Sequence, residues 1–432
     1  MDALFSPMGL SLGSLALLFI SVLWLKLPVA VMLAGLGFGG LALLSGMEAA
    51  STMLGNELWV NFSGYGMTVV PLFILMGQLC YYSGLNERLY RTLHILAGHV
   101  PGGLAVATIL ACGGFAAICG SNTATAATMA GVALPEMKKY GYDPAFSAGT
   151  VAVGATLGVI IPPSVVLIVI GLQTGLSVSG LFMAAVLPGI LLVLAFVVCT
   201  LATVLRSPRL APRCPKAPLK DRLRAAPQLA EVGILWGGVL GSMGTGIVTP
   251  TEAGALGTAL ALTMGIVSRR LTFKGLFMAL ADTLRLTAMI LLLVAGAMIY
   301  GKFLTATRLP FELSAIIAHM NAPVFAVLFC MLAIYFFGGM VMDALALLLI
   351  TVPIFFPLAQ SMGLDPIVFS LIITVVTTMG AVTPPIGVCV YVVSSIDRTT
   401  PLPSIFKGVF CYLPAYVAVV VLLILCPSLI VL

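Results

Sequence analysis

The segment Gly120-Ser121-Asn122-Thr123-Ala124-Thr125-Ala126-Ala127 sets three hydroxyls and an amide in the middle of an otherwise apolar run. Glycine lets the chain reverse, Ser121 or Asn122 is placed to cap the helix that follows, and the small residues permit close packing. Carbonyls freed at such a reversal are hard oxygen ligands suited to a small cation stripped of water. The helix N-terminus just beyond them presents N–H groups to an anion. The chemistry this spacing supports is a sodium ion and a carboxylate held side by side; a capped tight turn that holds nothing is the alternative.

A second kind of interruption follows, Gly154-Ala155-Thr156-Leu157-Gly158-Val159-Ile160-Ile161-Pro162-Pro163-Ser164. Pro162 and Pro163 remove two amide donors and strand the preceding carbonyls inside a span. In hydrocarbon each unpaired group costs on the order of several kcal/mol unless something polar compensates. A bound cation does this, and a kinked helix pair without an ion is the other reading. Thr377-Thr378-Met379-Gly380-Ala381-Val382-Thr383-Pro384-Pro385 repeats the device, opposite a second tip, Gly338-Gly339-Met340-Val341-Met342-Asp343. Asp343 is the only charged residue between Glu312 and Asp365. It either joins a cation site or caps the helix after it.

The elements that position these residues follow from composition. The chain has 432 residues, 61% hydrophobic and 8% charged, with mean hydropathy +1.19. Soluble domains carry about 25% charged residues, so most of this surface must face lipid. Nucleic-acid binders, water-soluble enzymes and disordered tails are excluded. The nine cysteines and three histidines show no C-x-x-C and no H-E-x-x-H, and they read as apolar or turn residues rather than metal ligands. The hydrophobic first 25 residues have Asp2 where a signal peptide is basic, so a retained helix is expected.

A crossing needs about 20 apolar residues. Ten segments qualify: 4–25, 28–46, 66–84, 145–171, 181–205, 229–248, 252–268, 283–303, 366–396 and 405–428. Two longer stretches, 101–138 and 323–361, are interrupted in the middle and read as re-entrant hairpins. With the basic loop 206–228 on the cytoplasmic side, this scheme places 18 of the 20 basic residues inside, Lys26 among them, and leaves only Lys302 and Arg308 outside. Both termini are then expected in the periplasm. Segments 86–98 and 308–319 are too polar to span and read as amphipathic helices along the two interfaces. Thr249-Pro250-Thr251-Glu252 fits a capping box.

An offset of 222 residues aligns the halves. Pro101 falls on Pro323, Pro135 on Pro357, Asp143-Pro144 on Asp365-Pro366, Thr156-x-Gly158 on Thr378-x-Gly380, Pro162-Pro163 on Pro384-Pro385, and Ser121 on Asp343. Five crossings per half is an odd number, so repeat 1–205 and repeat 229–432, joined by 206–228, are expected to insert with opposite orientation. The fold class is therefore an all-α polytopic membrane protein with two inverted-topology repeats, about ten transmembrane helices and two re-entrant hairpins. Such repeats mark secondary transporters with a midplane site at broken helices. A membrane-embedded enzyme would need a Ser–His or Ser–Lys pair, paired intramembrane aspartates or a metal cluster, and none is visible.

The tip 120–127, the run Ala133-Leu134-Pro135-Glu136-Met137-Lys138-Lys139-Tyr140-Gly141-Tyr142-Asp143, the motif Gly158-x-x-Ile161-Pro162-Pro163-Ser164 and Thr249-Pro250-Thr251-Glu252-Ala253 together resemble the large membrane subunit (DctM-type, M subunit) of tripartite ATP-independent periplasmic (TRAP) transporters. The resemblance covers essentially the whole chain. It implies an elevator-type carrier of the bacterial inner membrane, with sodium-coupled uptake of an organic acid (a C4-dicarboxylate, keto acid or sugar acid) delivered by a periplasmic binding protein. A small four-helix membrane subunit would brace the scaffold. Since no four further helices precede residue 1, that subunit is expected on a separate chain.

Carried over by position, the sodium sites involve Ser121, Asn122, Thr156 and Gly158 in one half, and Gly339, Thr378, Gly380 and Thr383 in the other, with Asp343 as an additional candidate. The substrate carboxylate is expected at Ser121, Asn122, Thr123 and Thr383. Sodium ions are co-transported and no organic cofactor is called for. The transport unit is expected to be the two hairpins with spans 145–171 and 366–396, sliding against the other spans. A stand-alone divalent-anion or citrate-type carrier, sodium- or proton-coupled and needing no binding protein, is the competing reading.

Overall fold

The computed structural model describes residues 7–25, 27–319 and 323–430, and every regular element among them is a helix. The expectations for Lys26 and for the two chain ends fall outside the described residues. Among the described residues six helices are long and apolar enough to cross a membrane: Tyr65–Tyr82, Pro144–Thr174, Val178–Arg206, Phe273–Ala306, Ala344–Ser361 and Leu402–Leu425. Five shorter apolar helices accompany them: Pro7–Val22, Val29–Ser45, Gly103–Cys119, Val324–Gly339 and Pro366–Gly380. Two expected spans fall outside both groups. Leu229–Gly244 has 16 residues and carries Glu231 in its first turn, and Pro250–Val267 opens on the polar cap Pro250-Thr251-Glu252. That cap is the anticipated box: Thr249 N–H donates to Glu252 Oε2 at 2.8 Å and Glu252 N–H to Thr249 Oγ1 at 3.4 Å. The helices Met47–Phe62 and Leu219–Ala225 were not anticipated. Met47–Phe62 is too polar to read as a span, with Glu48, Asn56 and Glu57 in 16 residues, and an ion pair of 2.9 Å from Lys302 to Glu57 ties it down.

The centre of the non-hairpin part is Phe273–Ala306, a 34-residue helix packed on Val29–Ser45 and Val69–Tyr82. Lipid tails are as apolar as leucine, so helices in a membrane gain by close backbone approach rather than by burying oil from water. Here glycine supplies that approach. A Cβ on Gly37 would sit 2.7 Å from the Tyr300 backbone nitrogen, and one on Gly296 would sit 2.5 Å from the Ala30 carbonyl oxygen. Tyr300 Oη also meets Ser14 Oγ, on the helix Pro7–Leu23, at 2.8 Å.

Both interrupted stretches are helical hairpins. Gly103–Cys119 and Asn122–Lys139 reverse at Gly120, whose φ of 63° only glycine adopts freely, and at Ser121. Val324–Gly339 and Ala344–Ser361 are joined through Met340-Val341-Met342-Asp343. Each is followed by a broken helix: Pro144–Ala155 with Leu157–Ile160 and Val165–Thr174 in the first half, Pro366–Gly380 with Val388–Ile396 in the second. The matched Asp-Pro pairs start both broken helices in the same way. Asp143 Oδ1 accepts from Phe146 N–H at 2.8 Å, and Asp365 Oδ1 from Ile367 and Val368 N–H at 2.9 Å, with proline at the first helical position. The halves interlock: Asn122–Lys139 packs on Val388–Ile396, and Ala344–Ser361 packs on Val165–Thr174. Leu85–Ala97 and Leu309–His319 form where interfacial helices were expected, each against a hairpin arm.

Candidate functional site

Each hairpin tip is seated in the broken helix of its own half, and glycine makes the seat. A Cβ on Gly158 would lie 2.6 Å from the Ser121 carbonyl oxygen and 3.0 Å from Thr125 Oγ1; one on Gly120 would lie 2.8 Å from the Pro163 carbonyl oxygen. In the second half Gly339 abuts the Thr377 carbonyl and Gly380 abuts the Phe336 carbonyl, while Gly387 N–H donates to the Met340 carbonyl at 2.9 Å. Both Pro–Pro bonds, 162–163 and 384–385, are cis.

The first tip is organised by its own polar groups. Ser121 is the N-cap, accepting from Ala124 N–H at 3.4 Å and lying 3.2 Å from Thr123 Oγ1. Asn122 is buried; its Oδ1 accepts from Thr123 N–H at 2.8 Å, while its buried Nδ2 has no partner. Thr125 Oγ1 donates to the Ser121 carbonyl at 2.6 Å. A buried amide donor left open suits an anion and not a cation.

The first break is more fully satisfied by protein than the sequence implied. Ser164 Oγ donates to the Val159 carbonyl at 2.6 Å, and the Trp236 indole N–H, from the helix Leu229–Gly244, donates to the Pro162 carbonyl at 3.0 Å. Two stranded carbonyls thus have donors without any ion. The Thr156 hydroxyl donates to the Val153 carbonyl at 2.7 Å and pairs with Tyr416 Oη at 2.6 Å. Tyr412 likewise joins Thr150 at 2.8 Å and Thr200 at 3.1 Å. These buried tyrosines, and the packing of Gly149 on the Gly408 backbone, bind Val178–Arg206 and Leu402–Leu425 to the first broken helix.

In the second break, Thr378 Oγ1 donates to the Val375 carbonyl at 2.8 Å and Thr383 Oγ1 to the Met379 carbonyl at 2.6 Å. The neighbour that sequence reasoning passed over is Thr377, fully buried, whose Oγ1 has no partner although its own carbonyl touches Gly339. Asp343 caps Ala344–Ser361, its Oδ2 accepting from Leu345 N–H at 3.1 Å, so the capping role is in place. Ser121 and Gly158 are brought together, as are Gly339 and Gly380, whereas the Thr378 hydroxyl is turned onto its own helix and that of Thr156 onto its own helix and Tyr416. Trp236, Tyr412 and Tyr416 carried no local sequence signal, because their partners lie 74, 212, 260 and 262 residues away. Thr377 was legible beside Thr378 but not distinguishable from it.

A cavity of ≈ 400 Å³ opens beside the far end of the first hairpin, with Ala130, Leu134, Lys138, Ser147 and Asp397 among its lining. Ala130 lies eight residues along the helix from Asn122, about 12 Å, so the cavity approaches the tip without reaching it.

Over 89% of both chains the fold matches the Alcanivorax borkumensis YdaH transporter, at 16% identity and TM-score 0.63. With six helices among the described residues long and apolar enough to cross a membrane, the fold is that of a multi-pass membrane protein. The family profile described as "Tripartite ATP-independent periplasmic transporter, DctM component" matches residues 16–429, and the chain belongs to that family. It is 32% identical over 361 residues to the C4-dicarboxylate TRAP transporter large permease protein DctM of Pseudomonas aeruginosa, covering 83% of this chain and 84% of that protein. It is 30% identical over 397 residues to the 2,3-diketo-L-gulonate TRAP transporter large permease protein YiaN of Escherichia coli, covering 91% and 92%. It is a transporter component and not an enzyme.

Proposed function

We propose that this chain carries a small organic acid across the bacterial inner membrane by sodium-coupled symport. The substrate would be delivered by a periplasmic binding protein, and the scaffold braced by a small four-helix membrane subunit. The observation that carries the reading is the pair of tip-in-break nests, each with one buried polar atom left open: a donor, Asn122 Nδ2, in the first, and a hydroxyl, Thr377 Oγ1, in the second. A donor fits the substrate carboxylate and a hydroxyl oxygen fits a cation. We assign Ser121, Asn122 and Thr123 to the carboxylate, with Thr383 beside it. Sodium is assigned to backbone carbonyls around Ser121, Gly158, Gly339 and Gly380, with Thr377, Thr156, Thr378 and Asp343 as further oxygen donors. The relatives' names point to the same substrate class, since a C4-dicarboxylate and a diketo-gulonate are both carboxylates.

The halves act as inverted repeats, and their reciprocal packing supports this. The moving unit comprises both hairpins and both broken helices, and the tyrosine ties argue for adding Val178–Arg206 and Leu402–Leu425 to it. Ions bind first and order the tips, so that the substrate site exists chiefly in the ion-loaded state. The 400 Å³ cavity is the cytoplasmic way out, with Lys138 drawing the anion.

Reconstitution of the chain with its small subunit and binding protein in proteoliposomes tests this. An imposed sodium gradient should drive uptake at least ten-fold over a potassium control. Uptake that follows a proton gradient and ignores sodium would refute the coupling. Uptake that survives omission of the binding protein would favour the stand-alone carrier.

A further inference from the structure

A cleft of ≈ 630 Å³ lies between the interfacial helix Leu85–Ala97 and the connecting-loop helix Leu219–Ala225. Arg88, Arg91, Arg224, Gln228 and Ile95 line it, and Asp221 is its only acid. Arg88 shares Glu231 with Arg270, at 3.2 and 3.0 Å, so one carboxylate serves two guanidiniums. Among the described residues no carboxylate lies within 4.0 Å of Arg91 or Arg224, and both are exposed. Two hydrogen bonds tie the cleft's sides together: Arg222 Nη2 donates to the Leu96 carbonyl at 3.1 Å, and Thr92 Oγ1 to Gln228 Oε1 at 3.1 Å. The same short helix turns Leu219 and Leu223, four residues apart on one face, outward at 70% and 65% exposure. Outward leucines flanked by Lys220, Arg222 and Arg224 suit a helix lying where headgroups meet acyl chains.

We propose that this cleft binds the phosphate headgroup of an anionic phospholipid, with Arg91 and Arg224 on the phosphate and the acyl chains over Leu219 and Leu223. Guanidinium forks match phosphate oxygens in geometry as well as charge, and basic pockets between helices at a membrane face take up such headgroups. A bound lipid would fix the connecting loop to the interfacial helix that abuts the first hairpin. The proposal rests on the multi-pass membrane reading, and on neither the ion nor the substrate.

Native mass spectrometry of the detergent-purified chain tests it, with phosphatidylglycerol, phosphatidylcholine or inorganic phosphate added at equal concentration. Phosphatidylglycerol is expected to be retained at least five-fold more than phosphatidylcholine, and not to be displaced by inorganic phosphate. Arg91→Gln with Arg224→Gln should lower retention at least five-fold. Arg209→Gln with Lys216→Gln removes the same charge from the same loop outside the cleft, and should change retention less than two-fold. Gln228→Glu, which leaves every arginine in place but adds an acid to the cleft, should also lower it, and this covers a failure of the double variant to fold. Equal losses in the two double variants would overturn the proposal, as would retention untouched by all three or displacement by free phosphate. Untouched retention is also the result expected if another protein, and not lipid, covers the cleft. Because the readout is made on the solubilised chain, it stands or falls apart from the transport assay.

Discussion

At the level of single side chains, Asn122 Nδ2 and Thr377 Oγ1, the buried polar atoms without partners at the first tip and the second break, are the most informative. A hydroxyl that serves nothing is a liability in an apolar core, so Thr377→Val should be neutral or stabilise the chain by up to about 1 kcal/mol if no ion binds there. The ion assignment makes the opposite forecast for function. Half-maximal sodium concentration for uptake should rise at least ten-fold while thermal stability without sodium holds or improves, and an unchanged sodium dependence would remove Thr377 from the site. Gly158 tests the seat itself. Alanine there would set a methyl 2.6 Å from the Ser121 carbonyl oxygen, a backbone atom that cannot swing aside. Gly158→Ala should cost on the order of 1–3 kcal/mol in overpacking and lower uptake sharply. Gly241→Ala, where nothing lies within 4 Å of the added carbon, should do neither.

Between elements, the bond from Trp236 to the Pro162 carbonyl joins Leu229–Gly244 to the first break. Trp236→Phe keeps most of the ring but leaves a carbonyl unsatisfied, so a loss of about 1–3 kcal/mol is expected in thermal or denaturant unfolding. No loss would mean that water or another group takes over. Asp397, at the end of Val388–Ile396, closes the turn that follows. Burial pushes its carboxyl up, but the hydroxyls of Thr399 and Thr400 and the Thr399 amide more than offset this and hold it below the usual carboxylate range. A depressed native pKa contributes stability that is complete above the unfolded value, near 4, and is lost as pH falls through the native one. Midpoints measured from pH 6 to 3 should therefore fall more steeply for the wild-type chain than for Asp397→Asn; parallel curves would show that the turn contributes nothing.

For the molecule as a whole, sliding requires that some contacts break while others travel together. Gly301 in the long helix and Pro353 in the second hairpin lie across the proposed boundary, and a Cβ built on Gly301 is 3.6 Å from that of Pro353, within the range of about 3.5–4.5 Å that a disulfide needs. Gly301→Cys with Pro353→Cys should lose uptake on oxidation and regain it on reduction; full activity in the oxidised form would place the boundary elsewhere. Much of this was legible in the linear chain. Composition required a membrane, glycine and polar residues between apolar runs marked both hairpins, and Asp143-Pro144 with Asp365-Pro366 announced two helix starts, because caps, reversals and missing amides are local properties of a few adjacent residues. The helix Met47–Phe62 escaped because a search for spans discards polar segments. Tertiary structure alone decided which hydroxyls remain open and which spans are tied to the first broken helix. Thr377 and Thr378 are the same residue one step apart and differ only in what surrounds them, and the tyrosine ties at Thr150, Thr156 and Thr200 close over more than 200 residues, a distance at which adjacent sequence holds no information about contact.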